Sequence, residues 1–379
     1  MKRLDQKIPI NRPSFEGNER KYLLDCIDTG WISSQGSYIK KFEDAMKERC
    51  KRKFAVAVSS GTAALEISMK VLGIGVGDEV ITSDFSIISC TNSIIKAQGL
   101  PVLIDSSEED FNLNTDEIEK KITPKTKAIL VPHIYGLPAN MIKIEDLAKK
   151  HKLKIIEDAA EMHGQTYNSR PCGSFGEISI FSFYVNKLVT TGEGGMLLTD
   201  DEEIYKKACS LRNHSFMEGR RFVHDDIGFN YRMTNIQAAI GLAQVEQLDK
   251  FVKRRREIGL YYIEKLKHLS CLSLPKIKND QAENIFWNFS VVINNYSMTA
   301  EEAIKKLADL NIEAKEMFWP LHDQPIYKET KIFNASDSEF PNSKYFSEYG
   351  LNLPTSNSLR NSEIDSICSA LNEIFKEYD

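Results

Sequence analysis

The sequence predicts an α/β protein with a large, mostly parallel sheet domain at residues 1–250 and a smaller α+β domain at residues 251–379. The chain has 379 residues, which is too long for one ordinary core and suits two domains. From about residue 40 to 250, helical patterns alternate with short apolar runs, and such alternation indicates crossover connections in a parallel sheet. Past residue 250 the pattern changes to a strand-like run followed by helices and a further short strand.

The elements follow from hydrophobic periodicity, taken in chain order. Apolar residues at positions 65, 69 and 72 predict a helix over 62–72. Helices are also predicted over 145–151, 205–212 and 235–256 in the first domain, and near 299–310, 341–348 and 361–377 in the second. Short apolar runs predict strands at 79–82, 128–131, 154–157, 178–184 and 285–293, with another near 312–317.

The overall composition excludes several classes of protein. Apolar residues make up 42% and charged residues 27% of the chain, as in ordinary soluble globular proteins. The net charge of −5 gives no attraction to nucleic acid or to an anionic membrane. No apolar run approaches the ~18 residues of a transmembrane helix, and the first residues lack the apolar region of a signal peptide. We therefore expect a cytoplasmic protein that binds neither nucleic acid nor membrane.

The seven cysteines are scattered and include no C-x-x-C pair. This pattern argues against a disulfide framework, a zinc site or an iron–sulfur cluster, and favours reduced structural thiols. The seven histidines show no H-E-x-x-H motif and no pair at ligand spacing. The sequence therefore predicts no metal site.

The segment SSGTAA, residues 59–64, follows a strand-like run and opens a helix. A helix N-terminus offers unpaired N–H groups and a partial positive charge, which suit a phosphate, and small residues let the backbone approach it. An ordinary cap without a ligand is the alternative. The glycines of GIGVG, residues 73–77, lie between a helix and a strand without nucleotide-loop spacing, and we interpret them as a turn.

Asp158 ends an apolar strand, where ligands of parallel α/β sheets bind. A buried carboxylate at that place needs a cationic partner, and a pyridinium nitrogen would supply one. The alternative is an Asp that caps the following segment.

Lys187 follows a strongly apolar strand and precedes a glycine-rich turn, TTGEGG. A lysine in such surroundings loses its charge readily and can form a Schiff base, and nearby Ser182 can donate to a phosphate. A fourth segment, GFNYRMTN at residues 228–235, adds polar and basic groups before a helix. Each feature alone has an ordinary explanation, as a surface lysine or a helix cap. Together they supply a phosphate cradle, a ring-nitrogen partner, a Schiff-base lysine and a polar clamp.

The chain resembles the sugar-nucleotide aminotransferases, a branch of the fold-type I enzymes that use pyridoxal 5'-phosphate (PLP). The resemblance rests on the stretches SSGTAAL, EDAAEMHG, SFYVNKLVTTGEGGM and GFNYRMTNIQAAIG. It runs nearly end to end, from IPINRPSFEGNERKY and GWISSQGSYIKKFE to FWPLHDQP and LNLPTS. It implies the fold of aspartate aminotransferase and the transfer of an amino group from L-glutamate to a keto-sugar nucleotide by ping-pong kinetics.

The resemblance also implies roles for individual residues. Lys187 would form the internal aldimine and shuttle the proton, and Asp158 would pair with the pyridinium nitrogen. Phe85 would stack on the ring, where the family has an aromatic residue, and Glu161 would lie near the cofactor hydroxyl. Asn230 would reach the phosphate from the partner of a homodimer with shared sites. The phosphate itself would be held by Gly61, Thr62, Ala63 and Ser182.

Substrate contacts are implied for Trp31 and His322, which lie in segments that resemble substrate-contacting loops, and for Arg232, which would lie beside Asn230 in the shared site. Val185 stands where the family often has Gly or Pro, so the loop path before Lys187 is expected to differ. Glu161, in place of Gln or His, argues against the members that aminate C3.

Within the family, the runs GNERKY, WISSQG and EDAAE look most like the branch that aminates C4 of GDP-4-keto-6-deoxy-D-mannose to give GDP-perosamine for O-antigen or other surface polysaccharide. The same reaction on a UDP- or dTDP-linked 4-keto sugar, in viosamine, bacillosamine or legionaminic-type pathways, is the alternative.

Other chemistries find less support. A PLP dehydratase of the same sugar class normally has His in place of Lys187 and cluster-binding cysteines. A non-catalytic PLP-binding regulator would be expected to carry a DNA-binding extension or a basic patch, and the sequence has neither. A nicotinamide enzyme would need a glycine fingerprint that is absent here.

Overall fold

The computed structural model describes residues 3–217, 219–220, 222–294, 298–330, 332–333 and 336–376. Its α-helices are α1 (Glu19–Thr29), α2 (Ser37–Cys50), α3 (Gly61–Val71), α4 (Ser89–Lys96), α5 (Thr115–Lys121), α6 (Met141–His151), α7 (Glu202–Leu211), α8 (Asn235–Glu246), α9 (Leu248–Leu266), α10 (Ala300–Asp309), α11 (Pro325–Thr330), α12 (Pro341–Tyr349) and α13 (Asn361–Phe375). A 3-10 helix spans Asp337–Glu339. Among the residues described, no helix has both the length and the apolar character needed to cross a membrane.

The strands are β1 (Phe54–Val58), β2 (Glu79–Ser83), β3 (Leu100–Ile104), β4 (Thr126–Pro132), β5 (Lys154–Asp158), β6 (Thr166–Tyr167), β7 (Arg170–Pro171), β8 (Ile178–Ser182), β9 (Gly195–Thr199), β10 (Leu272–Ser273), β11 (Phe289–Ile293), β12 (Lys315–Glu316) and β13 (Gly350–Leu353). Seven of them form one sheet in the order β1-β9-β8-β5-β4-β2-β3. Only β9 runs antiparallel to its neighbours. The predicted α/β class with a mostly parallel sheet is therefore confirmed.

The strands of this sheet are buried along nearly their whole length because helices cover both faces. In β5 an exposed lysine is followed by four buried residues, and all five residues of β9 are buried. Helix α3 lies against β8 and β9 and buries seven consecutive residues, from Ala63 to Met69. Such continuous apolar runs are typical of strands that are covered on both sides.

The second sheet is antiparallel, in the order β10-β11-β13-β12, and it packs with α9, α10, α12 and α13. Its core also includes Ile8, which forms a parallel bridge with Ile312. Helix α9 runs across the predicted boundary at residue 250, and Leu4 and Ile8 pack on the C-terminal unit. The division at residue 250 stays a prediction.

The strand register aligns several predicted site residues at one edge of the large sheet. Asp158 pairs with Pro132 of β4 and with Ile180 of β8. Ser182 pairs with Gly195, the first residue of β9, which in turn pairs with Val58 at the end of β1. This is the edge at which parallel α/β sheets bind ligands.

Candidate active site

A cavity of about 320 Å³ opens at this edge of the sheet. Most of its wall is formed by the ends of strands β4, β5 and β8, by the N-terminus of α3 and by the loop that follows β8. Six residues singled out in the sequence line it: Gly61, Thr62, Asp158, Glu161, Ser182 and Lys187. The fold therefore brings together residues that are separated by up to 126 positions in the chain (187 against 61).

The N-terminus of α3 forms one end of the cavity. Ser60 caps the helix, and its hydroxyl accepts a hydrogen bond of 3.1 Å from the N–H of Ala63. A Cβ on Gly61 would lie 2.9 Å from Cβ of Ser182, so only glycine lets the helix start and the end of β8 come so close. Ala63 does not line the cavity, and its N–H already donates to Ser60. Its predicted contact with the phosphate therefore finds no support here.

Asp158 is buried at the end of β5. Oδ1 accepts from the N–H of Ala160 at 3.1 Å, and Oδ2 accepts from the thiol of Cys90 at 3.5 Å. Burial raises the pKa of this carboxyl, although the hydrogen bond from Ala160 and the charge of Lys187 oppose that increase. A cation bound within reach would stabilise its ionised form.

Lys187 and Glu161 form an ion pair in the cavity wall. Nζ of Lys187 lies 3.4 Å from Oε1 of Glu161, and both side chains are largely buried. The other oxygen of Glu161 accepts from the backbone N–H of Tyr135 at 2.8 Å. Burial raises the pKa of Glu161 to about 7; the charge of Lys187 lowers it, and the charge of Asp158 raises it further.

These residues fit pyridoxal phosphate. The start of α3 with Gly61 offers free N–H groups and a dipole to a phosphate, together with the hydroxyls of Thr62 and Ser182. Asp158 supplies a buried carboxylate for a protonated ring nitrogen, and Lys187 supplies an amine for the carbonyl carbon. Among the described residues, Oδ1 of Asn186 is a buried acceptor without a hydrogen-bond partner in the same wall.

Phe85 requires a correction, because it does not line the cavity. Its ring is completely buried and packs edge-on against Phe318 and Phe346, at centroid distances of 5.7 Å in each case. The loop after β2 turns at this point, and Ile87, two residues further on, lines the cavity instead. We therefore propose Ile87, an aliphatic side chain, for the contact with the ring face.

The predicted substrate residues lie outside the cavity. Trp31 is exposed in the α1–α2 loop, where its carbonyl oxygen accepts from the side chain of Asn235 at 2.6 Å. Asn230 is exposed, and Arg232 donates to the side chain of Asn213 at 2.8 Å. These placements are compatible with contacts made across a subunit boundary.

His322 is buried rather than exposed to a ligand. Its Nδ1 lies 2.8 Å from Oδ2 of Asp84, and its Nε2 lies 3.2 Å from Oδ1 of Asp337. The ring also stacks on Phe340 at 4.5 Å. Both ring nitrogens are therefore engaged within the chain, and the predicted role in substrate contact is not supported by this geometry.

Many other wall residues were not predicted from the sequence, among them His133, Trp287 and Phe318. His133 follows a predicted strand, so its position at a strand end was a usable signal. Trp287 and Phe318 come from the C-terminal unit, and only the tertiary fold brings them to this edge. Nothing in their local sequence indicates the contact.

A buried cluster of His133, Glu157 and Cys172 has potential metal-ligand atoms within 4.8 Å of one another. The two oxygens of Glu157 already accept from the N–H groups of Gly173 and Phe175, at 2.7 and 2.8 Å. Nδ1 of His133 accepts from a backbone N–H, and Nε2 lies 3.2 Å from Glu157. Internal hydrogen bonds therefore account for this cluster.

Comparison with known proteins agrees with this chemistry. The model of the DegT/DnrJ/EryC1/StrS aminotransferase family matches residues 13–372. The GDP-perosamine synthase of Escherichia coli O157:H7 is 40% identical over 98% of this chain and 99% of its own. That of Vibrio cholerae is 38% identical over 97% and 99%. Spr1654 of Streptococcus pneumoniae, described as a sugar aminotransferase and solved in its PMP form, superposes with a TM-score of 0.92 at 25% identity over 98% of both chains.

These similarities extend over almost the whole length, and the solved relatives share the fold type I architecture with its cofactor. The chain therefore belongs to the DegT/DnrJ/EryC1/StrS aminotransferase family and is a PLP-dependent sugar aminotransferase.

Proposed function

We propose that this enzyme transfers the amino group of L-glutamate to C4 of GDP-4-keto-6-deoxy-D-mannose and so makes GDP-perosamine. The observation that carries the proposal is the similarity, at 38–40% identity over nearly full length, to the two GDP-perosamine synthases described above. A sugar activated on a nucleotide is a donor for glycosyl transfer. We therefore assign the product to O-antigen or other surface polysaccharide biosynthesis.

Different residues of the cavity would have different roles in such a transfer. Pyridoxal phosphate, when bound, supplies a conjugated ring that accepts the electron pair of a broken bond to the amino-bearing carbon. Asp158 would hold the ring nitrogen in its protonated state by ion pairing. Gly61, Thr62 and Ser182 would bind the phosphate and fix the orientation of the ring between the sheet edge and Ile87.

Lys187 would move the proton that the transfer requires. Its amine takes a proton from the α-carbon of glutamate as a general base and returns a proton as a general acid. In the second half of the cycle the same amine moves a proton in the opposite sense, with the sugar in place of glutamate. Two half-reactions at one site give ping-pong kinetics.

We propose that the nucleotide is bound at a site that two subunits of a homodimer share. Among the described wall residues of the cavity, Lys187 is the only lysine or arginine, whereas a diphosphate needs cations. Arg232 and Asn230 lie on a segment outside the cavity of their own chain, and we propose that they act in the site of the partner. The seven cysteines are thiols and not disulfides, which favours the reducing cytoplasm as the location of the enzyme.

A substrate panel tests the proposal directly. The holoenzyme is incubated with L-glutamate and with GDP-, UDP- or dTDP-linked 4-keto-6-deoxy sugars, and the products are identified by mass spectrometry and NMR. We expect the GDP-linked sugar to give the highest kcat/KM and a 4-amino product. Preference for the UDP- or dTDP-linked sugar would refute the GDP assignment but keep the aminotransferase.

Conversion of the PLP absorbance band by L-glutamate alone provides an independent readout. It tests the first half-reaction without any sugar. If the band does not change, glutamate is not the amino donor, whatever the panel gives.

A further inference from the structure

The indole of Trp287 lies directly over the amine of Lys187. The distance from Nζ to the ring centroid is 4.0 Å, well inside the range in which a cation is attracted to an aromatic face. Trp287 is only 4% exposed, and the side chain of Lys187 is 13% exposed, so little water screens the contact. The attraction is stronger for a desolvated cation than for an exposed one.

Hydrogen bonds hold both the indole and the backbone of Trp287. The Nε1–H of the indole donates to the carbonyl oxygen of Asn186, the residue before Lys187, at 3.2 Å. The backbone carbonyl oxygen of Trp287 accepts from Arg255 at 2.9 Å and from Thr355 at 3.2 Å, which holds the main chain at this residue. The ring therefore cannot turn away without the loss of its hydrogen bond to Asn186, and it presents a preformed face to the amine.

We propose that Trp287 and Glu161 form the resting position of the Lys187 amine whenever that amine is not bonded to the cofactor. The indole face and the carboxyl oxygen contact the same nitrogen atom, at 4.0 and 3.4 Å. Trp287 is thus a positioning residue that acts through Lys187. The inference rests on the proposed role of Lys187 as the proton-transferring amine.

The resting position matters because the freed amine must stay close to the reacting carbon and carry a proton for part of the cycle. A neutral aromatic face stabilises the ammonium without removing its proton, whereas a carboxylate alone would compete for that proton. The titratable groups that face the amine are Glu161, Asp158 and His163, and the pKa of His163 is lowered to about 3 by burial, with the charge of Lys187 as a further cause. Among these groups only the carboxyls supply negative charge.

The test measures how readily the freed amine of Lys187 loses its proton. The holoenzyme is converted to its pyridoxamine form with L-glutamate, which frees the lysine, and competitive labelling with an acylating reagent is followed by mass spectrometry over a range of pH. We expect Trp287→Leu to increase the labelling of Lys187 near neutral pH, relative to that at high pH, by about three- to tenfold, since the ammonium loses the aromatic face. Trp287→Phe is expected to cause a smaller increase, and Glu161→Gln also an increase.

Trp319→Leu is the matched control. That indole lies 5.4 Å from Nζ of Lys344 and is 52% exposed, so its removal should leave the labelling of Lys187 unchanged. Unchanged labelling in both Trp287 variants overturns the inference, and so does unchanged labelling in Trp287→Phe alone if Trp287→Leu does not fold. Borohydride reduction of the glutamate-free holoenzyme tests the role of Lys187 separately from that of Trp287. If the reduced cofactor is not attached to Lys187, the role of the lysine is refuted, and not only the position of its amine.

Discussion

Oε1 of Glu161 lies 3.4 Å from Nζ of Lys187, and Oε2 of the same carboxyl accepts a hydrogen bond from the backbone of Tyr135. Burial raises the pKa of Glu161 from 4.5 to about 7, while the charge of Lys187 opposes the increase. The carboxyl is therefore close to half ionised at neutral pH. Its charge state and that of the lysine are linked, and that linkage has consequences for stability.

Glu161→Gln should remove a pH dependence from the stability of the cofactor-free protein. Between pH 4.5 and 7 the carboxyl of Glu161 is protonated in the native state and ionised in the unfolded state. The stabilisation of the fold by Glu161 is therefore complete below pH 4.5 and is lost as the pH rises to 7. A shift of this size corresponds to about 3 kcal/mol at most. Denaturant unfolding at pH 5 and pH 8 should show a larger loss of stability in the wild type than in the variant. Equal losses in both would contradict the assignment.

Gly61→Ala should weaken cofactor binding more than it alters the rest of the fold. The new Cβ would meet Cβ of Ser182 at 2.9 Å, so the first turn of α3 must shift away from the end of β8. Overpacking of this kind costs about 1–3 kcal/mol, and we expect an increase of at least about tenfold in the Kd for PLP. The Kd is measured by absorbance titration of the apoprotein.

Gly75→Ala serves as the control for this substitution. A Cβ at Gly75 has no heavy atom within 4 Å among those compared, and it does not require a left-handed backbone. The Kd for PLP should stay at the wild-type value. A similar loss of affinity in both variants would mean that the contact with Ser182 is not the cause.

The residues that lie at strand ends or at a helix start could be predicted from the sequence. Asp158 ends an apolar run, Ser182 lies two residues before the end of another, and Gly61 opens a helix, so local patterns indicated both the element and the edge of the sheet. Parallel strands then bring these ends together whatever the loops between them do. This is why residues far apart in the sequence line one cavity in the structure.

The side chains on loops could not be predicted in the same way. Phe85 and Ile87 differ by only two positions, yet the turn after β2 buries the first and exposes the second to the cavity. No period of 2 or 3.6 residues applies in such a turn, so the direction of each side chain depends on tertiary packing. Trp287 reaches the lysine from a different unit of the fold, and no local pattern encodes that contact.

Mixed protomers test the shared site. A Lys187→Ala protomer paired with an Asn230→Ala protomer should regain activity, because one of the two sites then keeps both wild-type groups. The control pairs Lys187→Ala with Asp158→Ala. Both residues line the same cavity of one chain, so neither site of that heterodimer is complete and no rescue is expected. Purified heterodimers are assayed with glutamate and the sugar nucleotide; inactivity of the first pair would argue against Asn230 acting across subunits.

His322→Ala should destabilise the protein rather than abolish a substrate contact. Asp84 is fully buried and takes its hydrogen bonds from the ring and backbone N–H of His322, so loss of the ring leaves a buried carboxyl without its cationic partner. Removal of one partner from a buried pair costs about 3 kcal/mol or more. His268→Ala, which removes an exposed ring, should cost far less.

The loss in the His322 variant should also depend on pH. Hydrogen bonds and charges from Asp84 and Asp337 raise the pKa of His322 against the opposing effect of burial. The stabilisation is therefore complete below the ordinary value of 6.5 and is lost as the pH rises through the raised pKa. Urea unfolding at pH 6 and pH 9 should give a larger difference between wild type and variant at pH 6. If the variant keeps wild-type stability at pH 6 but has a strongly raised KM for the sugar nucleotide, the result would instead support a substrate contact by His322.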